Sequence, residues 1–265
     1  MTRDGLRQIR VERQDGEPAV DDQVAVEEPL ELVLDGTSFV VTMRTPGHDV
    51  ELAAGLLLTE GVVERPDELT AIEPCRDPLA YDPDNRLDVT LSAEARQRFD
   101  ATERERRRQW ATAACGLCGK ARIEEIYGRW PTISPRAVDA ATIRRLPALM
   151  RPRQALFDRT GGLHAAALFT LDGELLAVRE DIGRHNAVDK LIGRSLLRDE
   201  LPWTDRIVLV SARAGFEIVQ KVMMAQAPIL AAVGAASSLA TEAARRGGLD
   251  LWSFVQATRS NHHVG

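Results

Sequence analysis

Two cysteines three residues apart, Cys115 and Cys118 in Ala114-Cys-Gly-Leu-Cys-Gly-Lys120, are the first candidates for chemistry. Sulfur at that spacing can clip a metal, cycle as a dithiol, or act as a pair of nucleophiles. A structural zinc site needs four Cys or His ligands as a rule. The third cysteine, Cys75, stands alone in Glu73-Pro-Cys-Arg76, and His48, His164, His185, His262 and His263 supply no second pair at Cys-x-x-Cys spacing. No metal ligand set is therefore expected. A zinc deaminase needs His-x-Glu followed by Pro-Cys-x-x-Cys. Here His164 is followed by Ala165 and Ala166, Ala114 precedes Cys115, and the two pieces come in reversed order, which excludes that chemistry. A thioredoxin-like dithiol closes a strand and opens a helix early in a small βαβ unit, whereas this pair follows a densely charged segment. Nucleophilic sulfur remains. Lys120 and a helix starting after it favour a thiolate. A thiolate can take the terminal sulfur of a persulfide, and a second thiol within reach can accept that sulfur or resolve the linkage as a disulfide. The residues permit this chemistry without requiring it. A pair that only docks a partner or binds zinc stays open as the alternative.

Other candidates sit in polar or small-residue stretches. His185, in Gly183-Arg184-His185-Asn186, opens an expected helix beside Glu180 and Asp181. Such a crowd of titratable groups favours a site role, shared with Arg184. His164 begins an expected strand and reads more readily as a hydrogen-bonded core histidine. Met223 and Met224 fall on an apolar helix face and read as core.

These residues must be positioned by the rest of the chain. With 265 residues, 44% hydrophobic and 28% charged, it can bury one large core or two small ones. A net charge of −6 disfavours a bulk nucleic-acid binder. No run of 18 apolar residues suggests a membrane span, and the polar N-terminus has no apolar segment of a secretory signal. Three cysteines without a signal fit a reducing cytoplasm. Residues 1–22 read as a flexible arm. Residues 23–112 read as a small α+β domain, with a hairpin at Asp35-Gly36, a helix from Asp49 to a stop at Gly61, and strands near 69–72 and 86–91. Residues 113–127 read as an exposed Cys-x-x-Cys loop or linker, with helical pattern at 121–127. Residues 128–265 alternate. A helix at 137–149 and a hairpin at Asp172-Gly173 lead to a helix at 184–197. After that come a strand at 207–211, a helix at 216–226, a strand at 229–233, a helix at 237–246 and a strand at 249–254. That order predicts α/β with a parallel sheet and helical crossovers. Ligands in such sheets bind beyond the strand C-terminal ends. Here those ends are Ser211–Gly215, Gly234–Ser238 and Ser253–Arg259, with Arg213 and Arg259 available for phosphate.

Six segments, in order, carry a resemblance: ELAAGLLLTEGVV, CGLCGK, GGLHAAALF, REDIGRHNAVDKLIG, SARAGFEIVQKVMMAQAPILAAV and GLDLWSF. Together, across roughly residues 25–259, the chain resembles the formate dehydrogenase accessory sulfurtransferase family, FdhD. The resemblance implies a sulfur carrier that takes sulfur from a cysteine desulfurase as a cysteine persulfide. It passes that sulfur to the molybdenum cofactor, bis-molybdopterin guanine dinucleotide, before insertion into formate dehydrogenase. It also implies a C-terminal three-layer deaminase-like domain without the zinc site, and a homodimer. By position, Cys115 carries the persulfide and Cys118 assists. By the resemblance the cofactor-binding segment falls on Phe254, Val255, Gln256, Ala257, Thr258 and Arg259; Arg213, from the strand-end reading, and His185, from its polar loop, join it as further expected contacts. Ser253 and Gln256 depart from the family's usual glycine and basic residue at those positions.

Overall fold

The computed structural model describes residues 5–12, 19–109 and 130–263. Cys115, Cys118, the expected linker 113–127 and the expected helix at 121–127 lie outside the described residues. The chain opens with β1 (Leu6–Val11) and β2 (Val20–Ala25), paired antiparallel with Leu6 opposite Ala25 and Val11 opposite Val20. Residues expected as a loose arm thus contribute strand. Their pairing rests on backbone hydrogen bonds, which need none of the apolar alternation that a sequence reading looks for. Val26 N–H donates to the Gly5 carbonyl at 2.9 Å, and Arg159 Nε donates to Gln23 Oε1 at 2.8 Å, fastening the ribbon.

Next come β3 (Glu28–Leu34), β4 (Thr37–Arg44), α1 (Asp49–Thr59), β5 (Leu69–Pro74), β6 (Arg86–Leu91) and α2 (Ala93–Gln109). The strands form a sheet in the order β4-β3-β6-β5. The expected hairpin turn is present, with Asp35 at φ 45° and Gly36 at φ 81°, both left-handed as a tight two-residue turn requires.

The second half holds α3 (Ala140–Met150), α4 (Ala155–Thr160), β7 (His164–Thr170), β8 (Leu175–Asp181), α5 (Arg184–Leu197), β9 (Arg206–Val210), α6 (Phe216–Met224), β10 (Ile229–Ala232), α7 (Ser238–Gly247), β11 (Asp250–Ser253) and β12 (Asn261–His263). Its sheet runs β12-β11-β10-β9-β7-β8, with β9, β10 and β11 parallel, and β7 and β12 antiparallel to their neighbours. Side chains alternate across it. Ala166, Leu168, Val208, Val210 and Leu230 face a core shared with α1, α5, α6 and α7. Ala167, Phe169, Ile207, Leu209 and Ile229 face a second core under Ile143, Leu146 and Met150 of α3. Helices therefore cover both faces of the sheet.

The two halves are interlocked. Helix α1 lies across α5, and Gly55 and Gly193 allow the backbones to touch. A Cβ at Gly55 would stand 1.9 Å from the Asp189 carbonyl oxygen. Buried polar ties reinforce the contact. Lys221 Nζ donates to both oxygens of buried Asp189, at 2.9 and 2.8 Å, and to Thr59 Oγ1 at 2.9 Å. Lys190, also buried, pairs with Asp181 at 2.7 Å and donates to the Thr45 carbonyl at 2.8 Å. A buried charge is tolerable only when paired in this way.

Candidate functional site

Beyond the C-terminal ends of β9, β10 and β11, three loops are stitched together by backbone hydrogen bonds. Gly234 N–H donates to Ala212 O at 3.1 Å, Ala214 N–H to Ala235 O at 2.9 Å, and Phe254 N–H to Gly234 O at 2.9 Å. A Cβ on Gly234 would come within 3.0 Å of the Ala212 oxygen and the Arg213 Cα, so glycine here lets the loops close up. Arg213 and Phe254 thereby flank one residue. Phe254 has a left-handed backbone, φ 50°, and the residue is 39% exposed. A bulky residue pays about 1–2 kcal/mol for that conformation. It is held there by its neighbours' hydrogen bonds, with Val255 N–H donating to Ala232 O at 3.0 Å.

The remaining expected contacts divide. Val255 is fully buried and packs into the core beside Trp252. Gln256, Ala257, Thr258 and Arg259 are exposed. Gln256 N–H donates to Arg259 O at 2.9 Å, and Arg259 Nε donates back to Gln256 Oε1 at 3.1 Å, closing a small turn.

His185 lies at the start of α5, with Nε2 at 2.7 Å from Oε2 of Glu217 in the first turn of α6. Burial, then the positive charges of Arg184, Lys221 and His164, push its pKa down to about 4. The ring is thus neutral near pH 7. A carboxylate can only accept, so Nε2 carries the proton and Nδ1 is left with its lone pair. His164 is half-buried, and burial and Arg184 lower its pKa too. The expected hydrogen bond to its ring is not found among the described residues. Instead the strand backbone next to it is held, with Ala165 N–H donating to Ser211 Oγ at 2.9 Å.

Among the described residues, Arg184 and Arg213 have no hydrogen-bonded or carboxylate partner. Two uncommitted guanidiniums give this end of the sheet a pull on anions, phosphate above all, whereas Lys221 is held by Asp189 and Thr59. Among the described residues, no group of three or more His, Cys, Asp and Glu side chains is close enough to hold a metal. Sequence reasoning passed over Glu217, although an acid in the first turn of a helix after Gly215 was visible. It gave His185 and Arg184 a site role from the crowd of titratable groups beside them, without assigning Asp181 or Asn186 a part. Asp181 and Asn186 in fact brace the turn: Gly183 N–H donates to Asp181 Oδ1 at 2.8 Å, and Asn186 Nδ2 donates to Asp181 Oδ1 at 3.0 Å and to the Met43 carbonyl at 2.7 Å.

The sheet, its close-set strand ends and the free guanidiniums describe an α/β protein with an anion-attracting edge. The chain belongs to the FdhD/NarQ family, whose model matches residues 25–264. It is 46% identical over 250 residues to the sulfur carrier protein FdhD of Corynebacterium efficiens, covering 92% of this chain and 90% of that one. It is 45% identical over 250 residues to the protein of the same name from Streptomyces coelicolor, covering 92% and 88%. Its fold is similar to a crystal structure from Desulfotalea psychrophila assigned to a formate dehydrogenase accessory protein. That likeness has a TM-score of 0.73 at 23% identity, covering 98% of this chain and 96% of the other.

Proposed function

We propose that this chain is a sulfur carrier in the maturation of formate dehydrogenase. The observation that carries the reading is the match, over 92% of the chain, to relatives named sulfur carrier proteins, in a chain that itself holds a Cys-x-x-Cys pair. In this reading the Cys115 thiolate attacks the terminal sulfur of a cysteine desulfurase persulfide. The desulfurase thiolate leaves, and Cys115 holds the sulfur as a persulfide. Cys118 then attacks the Cys115 sulfur, closing a disulfide and releasing the outer sulfur at the sulfide level. The substrate that receives it is a molybdenum cofactor bearing guanine dinucleotides. Arg184 and Arg213 are suited to its phosphates, and the exposed Phe254 ring offers a face for stacking guanine.

Intact-protein mass spectrometry tests the carrier step. The reduced chain is incubated with a cysteine desulfurase and free cysteine. A mass gain of about one sulfur atom, absent in Cys115→Ala and retained in Cys118→Ala, is expected. In the unsubstituted chain Cys118 can discharge the persulfide and leave a disulfide, so the result that overturns the reading is no gain in Cys118→Ala.

A further inference from the structure

At the opposite end of the sheet from the strand-end loops, a cavity of about 510 Å³ opens where helices α1, α5 and α6 all terminate. That volume suits a small ligand or a partner's side chain. Leu58, Leu196 and Met224 form an apolar floor, and Glu64, Asp67 and Asp199 stand at the rim. The carbonyl ends of three helices add negative potential there. Asp67 is engaged by Arg65 at 3.2 Å. The Glu64 and Asp199 carboxylates have no partner among the described residues. Arg65, a base in the lining, is already committed to Asp67, Glu68 and Glu94. An apolar floor under uncommitted acids matches a cation on an alkyl stem. Of such groups, a guanidinium fork can engage two carboxylates at once.

We propose that this cavity docks an arginine side chain presented by a protein partner, at a place separate from the strand-end edge. A side chain on a protein fits better than the free amino acid. Free arginine brings an α-ammonium that the acids would accept, but also an α-carboxylate, for which the base in the lining, Arg65, is already taken.

NMR titration of the full chain tests this with three probes: Nα-acetyl-arginine methylamide, Nα-acetyl-glutamine methylamide and free L-arginine. The blocked arginine should bind in the millimolar range, at least fivefold tighter than the blocked glutamine and no weaker than free arginine. Glu64 and Asp199 are exposed, and Asp199 has φ 55°, a conformation that asparagine accepts. Glu64→Gln with Asp199→Asn should therefore keep the melting temperature and weaken the blocked arginine at least fivefold. Met224→Phe, which fills the floor without altering charge, should weaken it as well. Equal binding of the blocked glutamine, or full binding by the double variant, overturns the cavity's preference for a cation. Free arginine binding tenfold tighter than the blocked form overturns the protein-borne source.

Discussion

Gly55 and Gly193 meet at the crossing of α1 and α5 so closely that neither position has room for a side chain. A Cβ on Gly193 would stand 1.8 Å from the Glu51 carbonyl oxygen and 2.6 Å from the Gly55 nitrogen. The obstacle in both directions is helix backbone, which cannot swing aside as a side-chain tip would. Gly193→Ala should therefore cost about 3 kcal/mol or more, at the upper end of overpacking penalties. Urea unfolding of the variant against the unsubstituted chain checks this. A loss under about 1 kcal/mol would mean that the helices part easily.

Lys221 is the cation that compensates buried Asp189. Burial raises the Asp189 pKa, and Lys221 and Thr59 work against that rise. Lys221→Met should cost about 3–5 kcal/mol near neutral pH, because it strands a carboxylate in the core. The carboxyl holds its proton in the fold beyond the pH at which the unfolded chain releases it. The penalty should therefore be smallest in acid and grow as pH rises through the carboxylate range. Denaturant midpoints across that range read the trend.

Glu51 gives a pH signature of opposite sign. Burial disfavours its charge, but hydrogen bonds from Arg179, at 2.5 and 2.8 Å, and from His48 outweigh that, and its pKa is about 2 against an ordinary 4.5. Its contribution is present above pH 4.5 and lost as pH falls from there toward 2. Allowing for solvent screening, it amounts to about 1–2 kcal/mol. The stability gap between the unsubstituted chain and Glu51→Gln should close over that window. A gap independent of pH would remove the ion pair from the account.

His185 should titrate near pH 4, well below the ordinary 6.5, as burial and the charges of Arg184, Lys221 and His164 dictate. The unfolded chain takes up that proton first, so the stability tied to the neutral ring is lost as pH falls from 6.5 toward 4. Imidazole NMR shifts followed from pH 7 to 3.5 give the midpoint directly. A midpoint at or above 6.5 would mean that the Glu217 carboxylate, 2.7 Å from Nε2, outweighs burial and the neighbouring cations.

Arg213 tests the strand-end edge separately from the cysteines. Arg213→Ala should weaken binding of guanosine diphosphate by roughly tenfold, the loss of one charge-assisted phosphate contact. Persulfide loading should be untouched. Calorimetric titration measures the first and mass spectrometry the second. Unchanged nucleotide affinity would move the binding surface away from Arg213.

Much of the fold was legible in the sequence because its signals are local. The Asp35-Gly36 and Asp172-Gly173 turns declare their hairpins. Helix α5 keeps the bounds 184–197 that periodicity gave it, since Gly183 caps a run of helix formers with an apolar stripe. The β1–β2 ribbon was hidden, because polar strands joined by backbone bonds leave no pattern. Burial of Asp181, Lys190 and Asp189 was hidden too, because nothing in a charged residue's neighbours along the chain reveals which element will cover it. The strand-end edge was placed by the alternation of strand and helix. Glu217 as partner of His185, and Val255 as core rather than surface, depended on which way each side chain turns.

The crossing of α1 and α5 also carries a consequence for synthesis. Thr59 and Asp189, hydrogen-bonded at the crossing, are 130 positions apart in the chain. At ordinary translation rates, α1 emerges from the ribosome many seconds before the helix it will lie against. Leu52 and Leu56 can pack on the first half's own strands, but Ala54, Leu57 and Leu58, which belong to the shared core, lack their later partners during that interval. The nascent first half is thus a partly assembled, sticky intermediate by construction, and it reaches its native burial only once the later sheet has been made.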